Sequence, residues 1–113
     1  MALFAMTVPI LPGKTEQWQR FAADLKGPRK TEFDASRRAL GLHERTFLQK
    51  TPHGDFVIVT LEGKDPTAAF AAFGRGTDAF TKWFLDQVKQ VHGLDLAAPP
   101  PGPLPELVLE SVA

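Results

Sequence analysis

The chain contains no cysteine, which excludes disulfides, thiolate nucleophiles and the sulfur ligands of structural zinc. It contains no tyrosine, so no phenolic acid is available for proton transfer. Thirteen basic and thirteen acidic residues cancel, leaving no charge excess of the kind that nucleic acid or an anionic membrane attracts. No apolar run approaches the ~20 residues that span a bilayer. The apolar first dozen residues lack a basic leading segment and are interrupted by Pro9 and Pro12, so they are not expected to act as a signal peptide. A secreted domain of this size would often carry disulfides. The expectation is a cytoplasmic protein with neither a nucleic-acid nor a membrane partner.

What is present fits one ordinary globular domain spanning 1–113. At 113 residues the chain is long enough for one core and too short for two, and 43% apolar content suffices to fill it. Residues 2–10 are apolar at nearly every position, which predicts a strand buried on both faces, stopped by Pro12-Gly13. From Lys14 the period changes: Trp18, Phe21, Ala22 and Leu25 recur at helical spacing. Gly27-Pro28 interrupts this helix, with Pro28 suited to the first turn of a second piece over about 28–40. Phe33, Arg37 and Leu40 share a face of that piece, and Gly41 ends it.

The strongest local signal follows. Runs 42–50 and 55–62 flank a turn carrying Pro52 and Gly54, which predicts a β-hairpin. Asp65-Pro66 then reads as N-cap and first position of a helix bearing Phe70 and Phe73, broken at Gly74-Arg75-Gly76. Thr77 or Asp78 caps a further helix whose apolar face is Phe80, Trp83, Phe84, Val88 and Val91, ended by Gly93. The proline-rich connection 97–105 must be extended, and the alternating stretch 106–112 predicts a last strand. Strand, broken helix, strand, strand, broken helix, strand is a doubled β-α-β order. Its simplest closed form is an α+β ferredoxin-like βαββαβ sandwich, a four-stranded antiparallel sheet with helices on one face.

A two- or four-residue hairpin loop puts His43, Arg45, Phe47, Gln49, Phe56, Ile58, Thr60 and Glu62 on one face. Thr46, Leu48, Val57, Val59 and Leu61 then face the helices. A three-residue loop would scatter both sets. With helices covering one face, the other exposes Phe47, Phe56 and Ile58, and an identical copy is the simplest cover: a homodimer is expected.

This order of elements resembles the dimeric α/β-barrel group of ferredoxin-like proteins, which includes antibiotic-biosynthesis monooxygenases, haem-degrading monooxygenases and muconolactone isomerases. Leu42-His-Glu-Arg45, Gly54-Asp55 and Val91-His-Gly-Leu-Asp95 look most like segments of an uncharacterised bacterial subgroup. The resemblance implies a small dimeric barrel acting on, or binding, a small organic molecule between helices and sheet. Haem-degrading members rely on an asparagine, a tryptophan and a histidine, and this chain has no asparagine. No cofactor and no metal is expected.

The candidate site is the charged end of the hairpin. Glu62 opposite His43 would orient the imidazole and raise its basicity, making both catalytic candidates. Arg45, Thr60 and Trp83 are substrate-binding candidates, with Arg45 placed to hold an enolate, carboxylate or quinone oxygen. The plainer alternative is a solvated cross-strand ion pair with no ligand. Glu44 points to the opposite face, toward the helices or the sheet edge. His53 falls in the turn, and His92 in a last helical turn where the dipole favours a cation. Trp83 is also a plain core residue of its helix. Three functional readings stay open: a cofactor-independent monooxygenase- or isomerase-like enzyme, a non-catalytic homodimeric ligand-binding or accessory module, and a purely structural dimer.

Overall fold

The computed structural model describes residues 2–100 and 102–112. In chain order the elements are β1 (Ala2–Pro9), α1 (Thr15–Lys26), α2 (Lys30–Leu40), β2 (Leu42–Thr51), β3 (Gly54–Gly63), α3 (Pro66–Gly74) and α4 (Ala79–His92). The architecture is α+β: an antiparallel sheet of three strands in the order β1-β3-β2, and four helices. None of these helices is long and apolar enough to cross a membrane.

The local signals operate as the residue chemistry dictates. The Asp65 carboxylate caps α3 by accepting from the Ala68 N–H at 3.2 Å, with Pro66 at the first position. Of the two candidate caps of α4, Asp78 is the one used. Its carboxylate accepts from the Thr81 N–H at 3.1 Å and the Thr81 hydroxyl at 2.7 Å, bonds that hold its pKa below the usual carboxylate value. Gly41 ends α2 at φ +68°, a left-handed conformation that a Cβ disfavours. Pro28, expected in the first turn of α2, lies instead in the turn before it, two residues ahead of Lys30.

The hairpin closes on the two-residue loop Pro52-His53, since Thr51 pairs with Gly54. Continuing outward, Phe47 pairs with Ile58, Arg45 with Thr60 and His43 with Glu62. Leu48, Thr46, Glu44 and Leu42 therefore share one face with Val57, Val59 and Leu61. Phe4, Met6 and Val8 of β1 extend that face across the central strand.

The helices cover this face. Phe84 of α4 gathers an aromatic cluster, with ring centroids 5.0 Å from Phe21, 5.1 Å from Phe73 and 6.4 Å from Phe33. Trp18, Val57, Val88 and Val91 complete the main core. Each such buried side chain contributes roughly 1.5–3 kcal/mol, so packing of the amphipathic faces, rather than helix propensity, holds α1 and α4 on the sheet. Backbone bonds from Leu11 N–H to Val91 O (2.8 Å) and Ile10 N–H to Asp55 O (2.9 Å) tie the exit of β1 to α4 and the hairpin.

Two expectations are corrected. Burial of β1 is one-sided: Phe4 and Met6 are buried, while Leu3 on the other face is 48% exposed. The predicted fourth strand does not form among the described residues. Prolines at 99, 100, 103 and 105 remove backbone donors, and residues 106–112 make no strand pairing. The apolar side chains there stand in solvent, Val108 at 84% and Leu109 at 88% exposure. Segment 104–108 nevertheless lies beside the start of β1, where it and Leu3, Phe4 and Ala5 line a shared hollow at the unpaired edge.

Candidate functional site

The two faces of the sheet offer two different environments. On the face away from the helices, strands β2 and β3 bring His43, Arg45, Thr60 and Glu62 together, as alternation predicts. Arg45 Nη1 donates to Glu62 Oε1 at 3.3 Å, with both side chains substantially exposed. The Glu62 carboxylate thus bonds the diagonal arginine, and His43, directly opposite, makes no side-chain hydrogen bond among the described residues. Phe47, Ile58 and Phe56 continue this face toward the turn, while Leu3 of β1 lies beside Glu62 at the charged end.

The covered face holds a cavity. Between α1, α2, α3, α4 and the sheet lies a space of about 670 Å³. Its walls are mostly apolar, with Trp18, Phe33, Phe70 and Phe73 on the helix side and Leu48 and Val59 on the sheet side. This size and character match sites for small organic molecules, typically about 300–1,000 Å³ and lined by apolar groups with a few polar ones. His43, Arg45, Thr60, Glu62 and Trp83 do not line it. Trp83 is half-buried and packs against the main core, 5.4 Å from Phe21 by ring centroid, and the Arg29 guanidinium lies 4.0 Å over its ring.

The polar groups of the cavity come from elsewhere. Arg37 of α2 is buried, and its Nε–H donates to Glu44 Oε1 at 2.7 Å, each side chain only 9% exposed. The Thr46 hydroxyl donates to Glu44 Oε2 at 3.0 Å, and Arg37 Nη1 donates to Ser36 Oγ at 3.0 Å. The guanidinium carbon lies 4.4–4.9 Å from the ring centroids of Phe73, Phe33 and Phe84. Burying a charge among aromatic rings is tolerated because the pair is matched and hydrogen-bonded and the rings present their negative faces.

His92 stands at the other end of the cavity, in the last turn of α4. Its Nδ1–H donates to the Pro9 carbonyl at 2.8 Å, which leaves Nε2 with the lone pair of the neutral imidazole. Burial pushes its pKa below the usual histidine value, against the opposing pull of the Pro9 bond. The cation expected there from the helix dipole is therefore disfavoured. Among the described residues no three histidine, aspartate or glutamate side chains converge as a metal site.

Comparison with protein-family models, curated proteins and solved structures finds no match. The site must therefore be judged on its own chemistry. Glu44 and Arg37 carry a signal in the sequence. Arg37 falls on the same stripe of α2 as Phe33 and Leu40, and Glu44 on the same strand face as Thr46 and Leu48. A charge of each sign on an otherwise apolar, inward face is the mark of a buried pair.

Proposed function

We propose that the chain binds a small, largely apolar organic molecule in the cavity between its helices and its sheet. The observation that carries this reading is the cavity itself, about 670 Å³ of mostly apolar space floored by the sheet and containing only a few fixed polar groups. N-phenyl-1-naphthylamine, an uncharged dye that fluoresces in apolar surroundings, is the test. Wild-type protein should bind it saturably, and Ala22→Phe, which projects a ring into the cavity, should abolish binding while circular dichroism stays native. Equal binding by both proteins would overturn the reading.

Proton-transfer chemistry of an isomerase- or monooxygenase-like kind is the second reading. One observation favours it: an imidazole fixed through Nδ1, its pKa lowered by burial, and lining the cavity. In this reading His92 is the proton acceptor, with Arg37 and Glu44 as the polar end of the site.

The open face supports a homodimer of the dimeric α/β-barrel kind. Phe47 is 53% exposed there, with Leu3, Phe56 and Ile58 on the same side. In such a dimer, segment 106–112 supplies the fourth strand of a ferredoxin-like sheet at the free edge of β1. His43, Arg45, Thr60 and Glu62 would then lie between the two sheets, where a second, interfacial site could form only with the partner in place. Sedimentation of the wild type should give twice the chain mass, and Phe47→Asp the monomer mass. A wild-type monomer would refute the dimer.

A further inference from the structure

We infer that the ligand of this cavity is an anionic amphiphile, an apolar body carrying one carboxylate or similar headgroup held by Lys26 and Lys30. This inference rests on the cavity reading above and adds the charge and orientation of what enters.

The chain as a whole is electrically neutral, but the cavity lining is not. Its charged residues are Lys26, Lys30, Arg37 and Glu44, three cations and one anion. Arg37 and Glu44 cancel each other at 2.7 Å, so neither attracts a charged ligand strongly. What remains is Lys26 and Lys30, exposed residues that close the last turn of α1 and open the first turn of α2. The short turn Gly27-Pro28-Arg29 brings these two ends together, and both lysines border the same cavity.

Local structure accounts for them only in part. A cation at Lys26 suits the C-terminal end of α1, but Lys30 stands at the N-terminal end of α2, where the helix dipole disfavours positive charge. Lys30 is partly compensated by Asp34 one turn on, at 2.8 Å in an exposed pair. Lys26 makes no ion pair among the described residues. A cationic rim on an apolar cavity within a neutral protein suits a ligand that leaves its charge at the surface and buries its body. Lysine is adapted to this, because its alkyl stem lies along apolar surface while the ammonium stays in water.

The competing design, in which an anion travels inward to Arg37, is disfavoured. A second anion beside Glu44 in that aromatic enclosure would lack a cation of its own. The ligand body instead lies along Phe33 and Leu48 and beyond, with its head outward.

Displacement of N-phenyl-1-naphthylamine by decanoate and by decanol tests this, because the two share a body and differ in charge. In wild-type protein, decanoate should displace the dye at lower concentration than decanol does. In Lys26→Glu/Lys30→Glu, decanoate should weaken about tenfold, as expected for two partly screened charge contacts, and decanol less than twofold. Raising salt from about 0.05 to 0.5 M should weaken decanoate alone. The milder Lys26→Gln/Lys30→Gln variant should show a smaller loss in the same direction. Decanoate binding that is indifferent to both variants, or decanol losing as much as decanoate, overturns the inference while leaving the cavity reading intact. Failure of the dye itself to bind wild-type protein removes both.

Discussion

Glu44 and Arg45 are neighbours in the chain, and each pairs with an opposite charge, yet the two pairs live in different worlds. Glu44 turns toward the helices and meets Arg37 at 2.7 Å, with each side chain 9% exposed. Arg45 turns away and meets Glu62 at 3.3 Å, with exposures of 48% and 37%. The period of two along a strand separates them, and what covers each face decides what the pair is worth. The inner pair is desolvated and depends on its partner. The outer pair is bathed in water and nearly free to part. Identical chemistry read from sequence thus carries very unequal energetic weight.

The largest expected effect is at the inner pair. Glu44→Leu leaves the Arg37 guanidinium buried and unmatched, and should cost about 3–5 kcal/mol in urea unfolding. Adding Arg37→Leu should recover most of that loss, since two apolar residues replace a matched pair. A double variant as unstable as the single would show that the pair itself, and not the orphaned charge, holds this face together.

A smaller effect should appear in the pH dependence. Burial lowers the folded pKa of His92, so the unfolded chain takes up the proton more readily than the folded one. Its contribution to stability is complete above about pH 6.5 and declines as pH falls from there through the lowered folded value. His92→Gln should flatten that part of the stability profile. An unchanged slope would mean that His92 is not desolvated and that the inner face is wetter than described.

The smallest effect belongs to the outer pair. Arg45→Ala should change the unfolding free energy by less than about 1 kcal/mol, and Glu62→Ala likewise, in protein kept dilute enough to be monomeric. A loss comparable to that of Glu44→Leu would erase the distinction between the faces.

Much of this difference was legible in the sequence. Alternation on either side of the turn groups His43, Arg45, Thr60 and Glu62 on one face and Glu44 on the other for a two- or four-residue loop, and the Thr51–Gly54 pairing selects the two-residue loop. The caps at Asp65 and Asp78 and the stop at Gly41 were equally readable, because each rests on a bond or conformation within a few residues. The pairing of Arg37 with Glu44 depends on how α2 lies against β2, a tertiary relation that no local period encodes. The cavity was hidden for the same reason: it is the space left where Trp18, Phe33, Phe73 and Leu48 fail to meet. The fourth strand expected over 106–112 does not form in the single chain, because alternation states only what a segment could pair as, while the prolines at 103 and 105 remove donors where the chain reaches the free edge of β1.

The account's central claim is that the helix-covered face, and not the open one, receives the ligand. Methyl NMR during titration with N-phenyl-1-naphthylamine tests it most directly, because neighbouring residues of β3 report on opposite faces. The account predicts that the methyl signals of Val57, Val59 and Leu61 shift on binding while those of Ile58 and Leu3 stay in place. Shifts at Ile58 and Leu3, with Val57, Val59 and Leu61 unmoved, would contradict it.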